Sequence, residues 1–190
     1  MEQITAFDLV IFLALTAMFV IGYAQGLVRR LLGTGAIVFS IVLGAMLRPP
    51  LGDYLQQQWT GLEPAYSHMV AFTAIFLASA VTLSLAIQLT YRPAPLLTRY
   101  PVLDEILGGL VGVVEGIIIL IALLLILDPY YTLPTVQDNI GAGEFTLLRT
   151  VHDLLDETWT AAFLRDGVIP PLLSVFGFIF PADIVDTFGT

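Results

Sequence analysis

Apolar residues fill four long runs of this chain, separated by short links rich in polar residues and proline. The runs extend from Leu9 to about Val28, Leu31 to Leu47, Ser67 to Tyr91 and Ile106 to Leu127. Each has roughly the 17–25 residues needed to cross a hydrocarbon core about 30 Å thick. Inside lipid no water satisfies backbone N–H and C=O groups, so helix is the conformation these runs must take. Arg48-Pro49-Pro50, Arg92-Pro93 and Asp128-Pro129 close the last three runs. Proline lacks an N–H and clashes with the preceding turn, which predicts a helix end at each. The pattern predicts an all-α membrane protein, with four transmembrane helices in residues 1–127 and a tail over residues 128–190.

Composition agrees with that class. Of 190 residues, 57% are hydrophobic and 12% charged, against about 25% charged in a soluble domain. Cysteine is absent, which removes disulfides, thiolate metal sites and redox pairs. The net charge of -9 is uneven: the tail carries nine acids and two arginines, the first 127 residues seven acids and five arginines, and lysine is absent. Such a balance excludes a basic nucleic-acid footprint. The first run follows Glu2 and Asp8 instead of a basic leader, so it is read as a retained helix, although Gly22 and Ala24 form a small-x-small site.

Arginine placement predicts an orientation. Arg29 and Arg30 fall between runs one and two, and Arg92 and Arg99 between three and four, while Arg48 alone represents the opposite side and Arg149 and Arg165 lie far from any run. Basic loops are retained inside, so both termini are expected outside the cytoplasm.

Small residues recur at four-residue spacing: Ala36, Ser40 and Gly44 in run two, Ala74, Ala78, Thr82 and Ala86 in run three, and Gly108, Gly112 and Gly116 in run four. Helices in lipid associate by close backbone approach, so these stripes are read as packing faces. Glu115 is a carboxylate inside run four, about 13 Å from Ile106 at 1.5 Å per residue and thus near mid-membrane. Its spacing from Gly108 points it into the bundle, with Gln25 and Gln88 in the same half and Arg29 and Arg92 as ion partners. It is either a structural carboxylate or a proton or cation relay. A pure scaffold predicts that Glu115→Gln leaves assembly and function intact; a relay predicts lost function with normal assembly.

In the tail, Leu148, Val151, Leu155, Trp159 and Ala162 recur at three and four. They predict an amphipathic helix over about residues 144–165. After Gly167, the run 168–180 begins at Pro170-Pro171 and is too short to span. It is expected at the membrane interface, under the amphipathic helix, or against a partner anchored by Trp159, Phe163, Phe176 and Phe178. His68 and His152 are the only histidines, and neither they nor any serine or threonine forms a metal or nucleophile motif, so no enzyme, metal or cofactor is expected.

The chain resembles the colicin V production protein family, small bacterial inner-membrane proteins, over nearly all of residues 6–180. The resemblance rests on Gly22-Tyr23-Ala24-Gln25-Gly26-Leu27-Val28-Arg29, on Leu47-Arg48-Pro49-Pro50-Leu51, and above all on Leu103-Asp104-Glu105-Ile106-Leu107-Gly108 with Gly112 and Gly116. The apolar run from Val168 is also similar. Gln25, Glu105 and Glu115 stand where the family commonly has basic residues. The resemblance implies a plasma-membrane protein that serves toxin production or export, and related modules anchor extracytoplasmic domains. The expected role is a non-enzymatic scaffold or accessory subunit, with lipid, other membrane or envelope proteins and further copies of itself as partners. A transporter or channel component using Glu115 is the alternative.

Overall fold

The computed structural model describes residues 5–61, 63–91, 100–133 and 145–188. Four long helices make the bundle: α1 (Ala6–Gln25), α2 (Leu27–Gln58), α3 (Pro64–Thr90) and α4 (Pro101–Tyr131). A capping assembly follows, made of α5 (Thr146–Asp156), α6 (Trp159–Phe163), a π-helical turn (Leu164–Val168), α7 (Ile169–Phe176), a 3-10 turn (Gly177–Ile179) and α8 (Ala182–Phe188). No strand occurs among the described residues. The chain is an all-α membrane protein.

α1 pairs with α4 and α2 with α3, and α2 also packs on α4. The α1–α4 seam is made by glycine, as the run-four stripe predicts. A Cβ at Gly108 would lie 2.6 Å from the Gly22 carbonyl oxygen, and one at Gly112 would lie 2.3 Å from that of Met18. Ala36, Ser40 and Gly44 are likewise buried in α2.

The stripe in α3 is a correction: Ala74, Ala78, Thr82 and Ala86 are exposed. α3 buries Met69, Phe72, Phe76 and Ala80 instead. Gly44 of α2 leaves a hole that the Phe72 ring fills, since a Cβ there would meet ring atoms at 2.5 Å. One small-residue face is enough for close packing when the partner supplies the knob, so the small face of α3 is left toward lipid.

Three predicted boundaries also move. Arg29 and Arg30 belong to α2, and the turn before them is Gly26 alone, at φ 75°. Only glycine adopts that conformation without strain. α2 continues through Pro49 and Pro50 to Gln58. Both prolines face outward, while Gly52 on the buried face lets His68 of α3 approach closely. Packing on α3 thus holds a helix that two prolines alone would break. α4 likewise runs past Pro129 to Tyr131.

The tail differs most. Its predicted amphipathic helix breaks at Glu157–Thr158, where Thr158 accepts a hydrogen bond from the Ala161 N–H and starts a new helix. Beyond it, the expected break after Gly167 is bridged: the Ile169 N–H reaches the Leu164 carbonyl, and Pro170 and Pro171 sit in a first turn that needs no donors. The result is a helical stretch from Trp159 to Ile179, 21 residues long and apolar enough to cross a membrane, making five such stretches among the described residues. The short isolated segment expected over 168–180 is therefore corrected. Both ends of the stretch rest on one end of the bundle, through Thr160 on Asp8 of α1 and, just beyond, Asp183 on Arg48 of α2.

Candidate functional site

Two polar sites lie at opposite ends of the bundle. The first is built on α4, where Asp104 and Glu115 share the buried face with the glycine stripe. Asp104 Oδ2 accepts the Leu27 N–H at 3.2 Å. Gly26, which carries no side-chain cap of its own, thereby borrows a carboxylate from another helix for the start of α2, where orphan donors and the helix dipole favour it. Asp104 thus has a defined role in the motif that carries the family resemblance.

Glu115 lies seven residues beyond Gly108, which packs against Gly26, so it sits about 10 Å inward from the α1–α2 turn. At that level the neighbouring Gly116 packs on Leu15 and Met18, near the middle of α1. Its carboxylate is buried and 3.2 Å from Nε of Arg30, with the two side chains 9% and 8% exposed. The Thr34 hydroxyl donates to the same Oε2 at 3.1 Å. Gly33 leaves room for the carboxylate, because a Cβ there would fall 3.2 Å from it. Arg30 also places Nη2 3.2 Å from the Met18 sulfur. The ion partner is therefore Arg30 and not Arg29: α2 begins at Leu27, and its helical turn points residue 30 into the bundle. Arg92 lies outside the described residues.

Gln25, Arg29, Arg30, Gly33, Ser84, Ile87, Gln88 and Glu115 line one cavity of about 80 Å³. The three polar residues singled out from sequence, Glu115, Gln25 and Gln88, are thus brought together, with Ser84 as a liner that sequence reasoning missed. Nothing in the spacing of Ser84 distinguishes it from the other small residues of its run.

At the opposite end, four polar contacts fasten the cap to the bundle. Asp8 in the first turn of α1 accepts the Trp159 and Thr160 N–H groups at 3.2 and 3.0 Å and the Thr160 hydroxyl at 2.7 Å. Arg165 donates to both oxygens of Asp128 at 2.7 and 2.9 Å, and to Asp156 at 2.7 Å. Arg48 pairs in a fork with Asp183. The Tyr66 hydroxyl accepts the Phe145 N–H at 2.6 Å. His152 lies between Asp128 and Asp153, at 3.5 and 3.4 Å. Asp128 is only 1% exposed. Bidentate arginine–carboxylate pairs of this kind set orientation as well as energy.

The cap turns large apolar side chains outward. Trp159 stacks on Phe163 at 5.6 Å, and both, with Phe176, are about half exposed, while Phe178 is 86% exposed. Leu148, Val151 and Leu155 instead pack on the bundle core. The apolar stripe predicted along the tail therefore divides: its first half covers the bundle, while Trp159 faces out and Ala162 is half-buried.

No curated protein and no solved structure matches the chain. A family model described as colicin V production protein matches residues 7–146, which takes in the whole four-helix bundle and leaves the run from Val168 beyond the match. With that model covering most of its length, and with long apolar helices packed along glycine, this multi-pass membrane protein belongs to the colicin V production protein family.

Proposed function

We propose that the chain is a non-enzymatic scaffold or accessory subunit of a toxin-production, export or other envelope complex in the bacterial inner membrane. The observation that carries this reading is the cap: polar contacts fasten it to the bundle end while Trp159, Phe163, Phe176 and Phe178 stay on its surface. Aromatic side chains held on a rigid frame are the usual anchors of protein contacts. The exposed acids Asp153, Asp156 and Glu157 fit a partner with a basic rim, acting over the roughly 8 Å that salt allows.

The double variant Trp159→Ala, Phe178→Ala removes two exposed rings and none of the four fastening contacts. It is expected to keep wild-type thermal stability in detergent and to lose co-purifying envelope proteins and toxin output together. Wild-type output with an unchanged partner set would refute the cap as the docking element.

The orientation that goes with this reading has both termini outside the cytoplasm, with residues 159–179 lying across the bundle end instead of crossing the membrane. A reporter active only outside the cell is expected to be active when fused after Thr132 and after Thr190, and silent when inserted near Ala94. Activity after Thr132 with silence after Thr190 would make residues 159–179 a fifth crossing; silence after Thr132 with activity near Ala94 would invert the bundle.

A further inference from the structure

The cavity beside Glu115 has a charge balance opposite to that of a cation site. Six polar side chains from all four helices converge on it: Gln25 of α1, Arg29 and Arg30 of α2, Ser84 and Gln88 of α3, and Glu115 of α4. In a bundle otherwise packed by apolar and small residues, such convergence is costly unless the groups find partners. Glu115 is neutralised by Arg30 at 3.2 Å. Arg29 has no ion partner among the described residues, so the lining carries one net positive charge. Gln25, Ser84 and Gln88 add neutral N–H and O–H donors.

Arg30 is 6% exposed, with its Nε facing Glu115 at 3.2 Å. Exposure rises from buried Arg30 and Glu115, through half-buried Ser84, Gln25 and Arg29, to exposed Gln88. The cavity therefore opens toward the α1–α2 turn, and about 80 Å³ is room for several waters.

We infer that this cavity is a hydrated vestibule that binds an anionic oxygen group of the phosphate class, with Arg29 at its mouth and the Arg30–Glu115 pair closing its inner end. A lipid headgroup and free phosphate offer the same chemistry. This inference is independent of the partner-docking reading of the cap, which lies at the other end of the bundle.

The absence of cysteine makes a direct test available in the full-length protein. Ser84→Cys, a change of one atom, is compared with Leu85→Cys, whose side chain is exposed on the lipid face, in lipid-free maltoside detergent. Each is labelled with anionic and cationic methanethiosulfonates, and every rate is divided by that reagent's rate with a free thiol.

The readout is the labelling rate at the substituted position. Position 84 is expected to react faster than position 85 and to prefer the anionic reagent by about tenfold, the low end of electrostatic focusing in a charged cleft. Arg29→Gln in the same background should abolish the preference. Slowing by added inorganic phosphate would assign a free anion, and slowing by phosphatidylglycerol but not by phosphate would assign a headgroup. An unreactive position 84, a cationic preference, or labelling slowed by neither anion would overturn the inference.

Discussion

Gly112→Leu is expected to lower the stability of the detergent-solubilised protein by at least about 3 kcal/mol, the upper part of the range for overpacked cores. The reason is what a side chain would meet. A Cβ at position 112 lies 2.3 Å from the Met18 carbonyl oxygen and 3.2 Å from Arg30 Nε, so backbone of α1 must retreat. Met18 is part of a continuous helix, and moving it also pulls Gly22 away from Gly108, where the same seam is equally close. Gly35→Ala is the matched control: Gly35 is exposed, and a Cβ added there would have nothing within 4 Å. That change is expected to be neutral or to stabilise by about 0.5–1 kcal/mol, because alanine is the better helix residue. Equal thermal unfolding of both variants would show that α1 and α4 do not meet along the glycine seam.

Glu115→Gln is expected to destabilise the bundle by about 3–5 kcal/mol, the range for removing one partner of a buried ion pair. It leaves Arg30 charged, buried and without a counter-charge. Neither outcome expected from sequence, intact assembly or lost function with normal assembly, includes this cost, because neither had Arg30 in place. The double variant Arg30→Met, Glu115→Leu removes both charges and is expected to recover most of the lost stability, since apolar replacement of a buried pair is often neutral or stabilising. A thermal unfolding cycle over the two single variants and the double variant measures the coupling. Additive effects would mean that the two side chains do not act as a pair.

The α-helical membrane class, the four long runs and the glycine face of α4 were legible in the sequence because each depends on local chemistry. A run of some twenty apolar residues must satisfy its backbone within itself, and Gly108, Gly112 and Gly116 bare the same helix face whatever stands opposite. Glu115 could be placed inside the bundle for the same reason, since it shares that face. Its grouping with Gln25 and Gln88 followed from depth along the runs.

Other features depended on groups far apart in the chain. Pro49 and Pro50 read locally as a helix end, and α2 passes through them because α3 packs against its opposite face. Arg30 replaced Arg29 as the partner of Glu115 once a one-residue turn at Gly26, capped from α4 by Asp104, set where α2 begins; a shift of one residue rotates a helical side chain by about 100°. The α3 stripe faced outward because Phe72 could fill the hole at Gly44. The tail's periodicity was a sound guide up to Leu155 and failed at Thr158, where Asp8, about 150 positions earlier in the chain, supplies acceptors for a new helix start. Apolar pattern alone thus determined which segments must be helical in lipid, while the polar contacts between distant segments decided where those helices begin, which face is covered and how the cap is fastened, because a hydrogen bond or ion pair depends on geometry that no single segment contains.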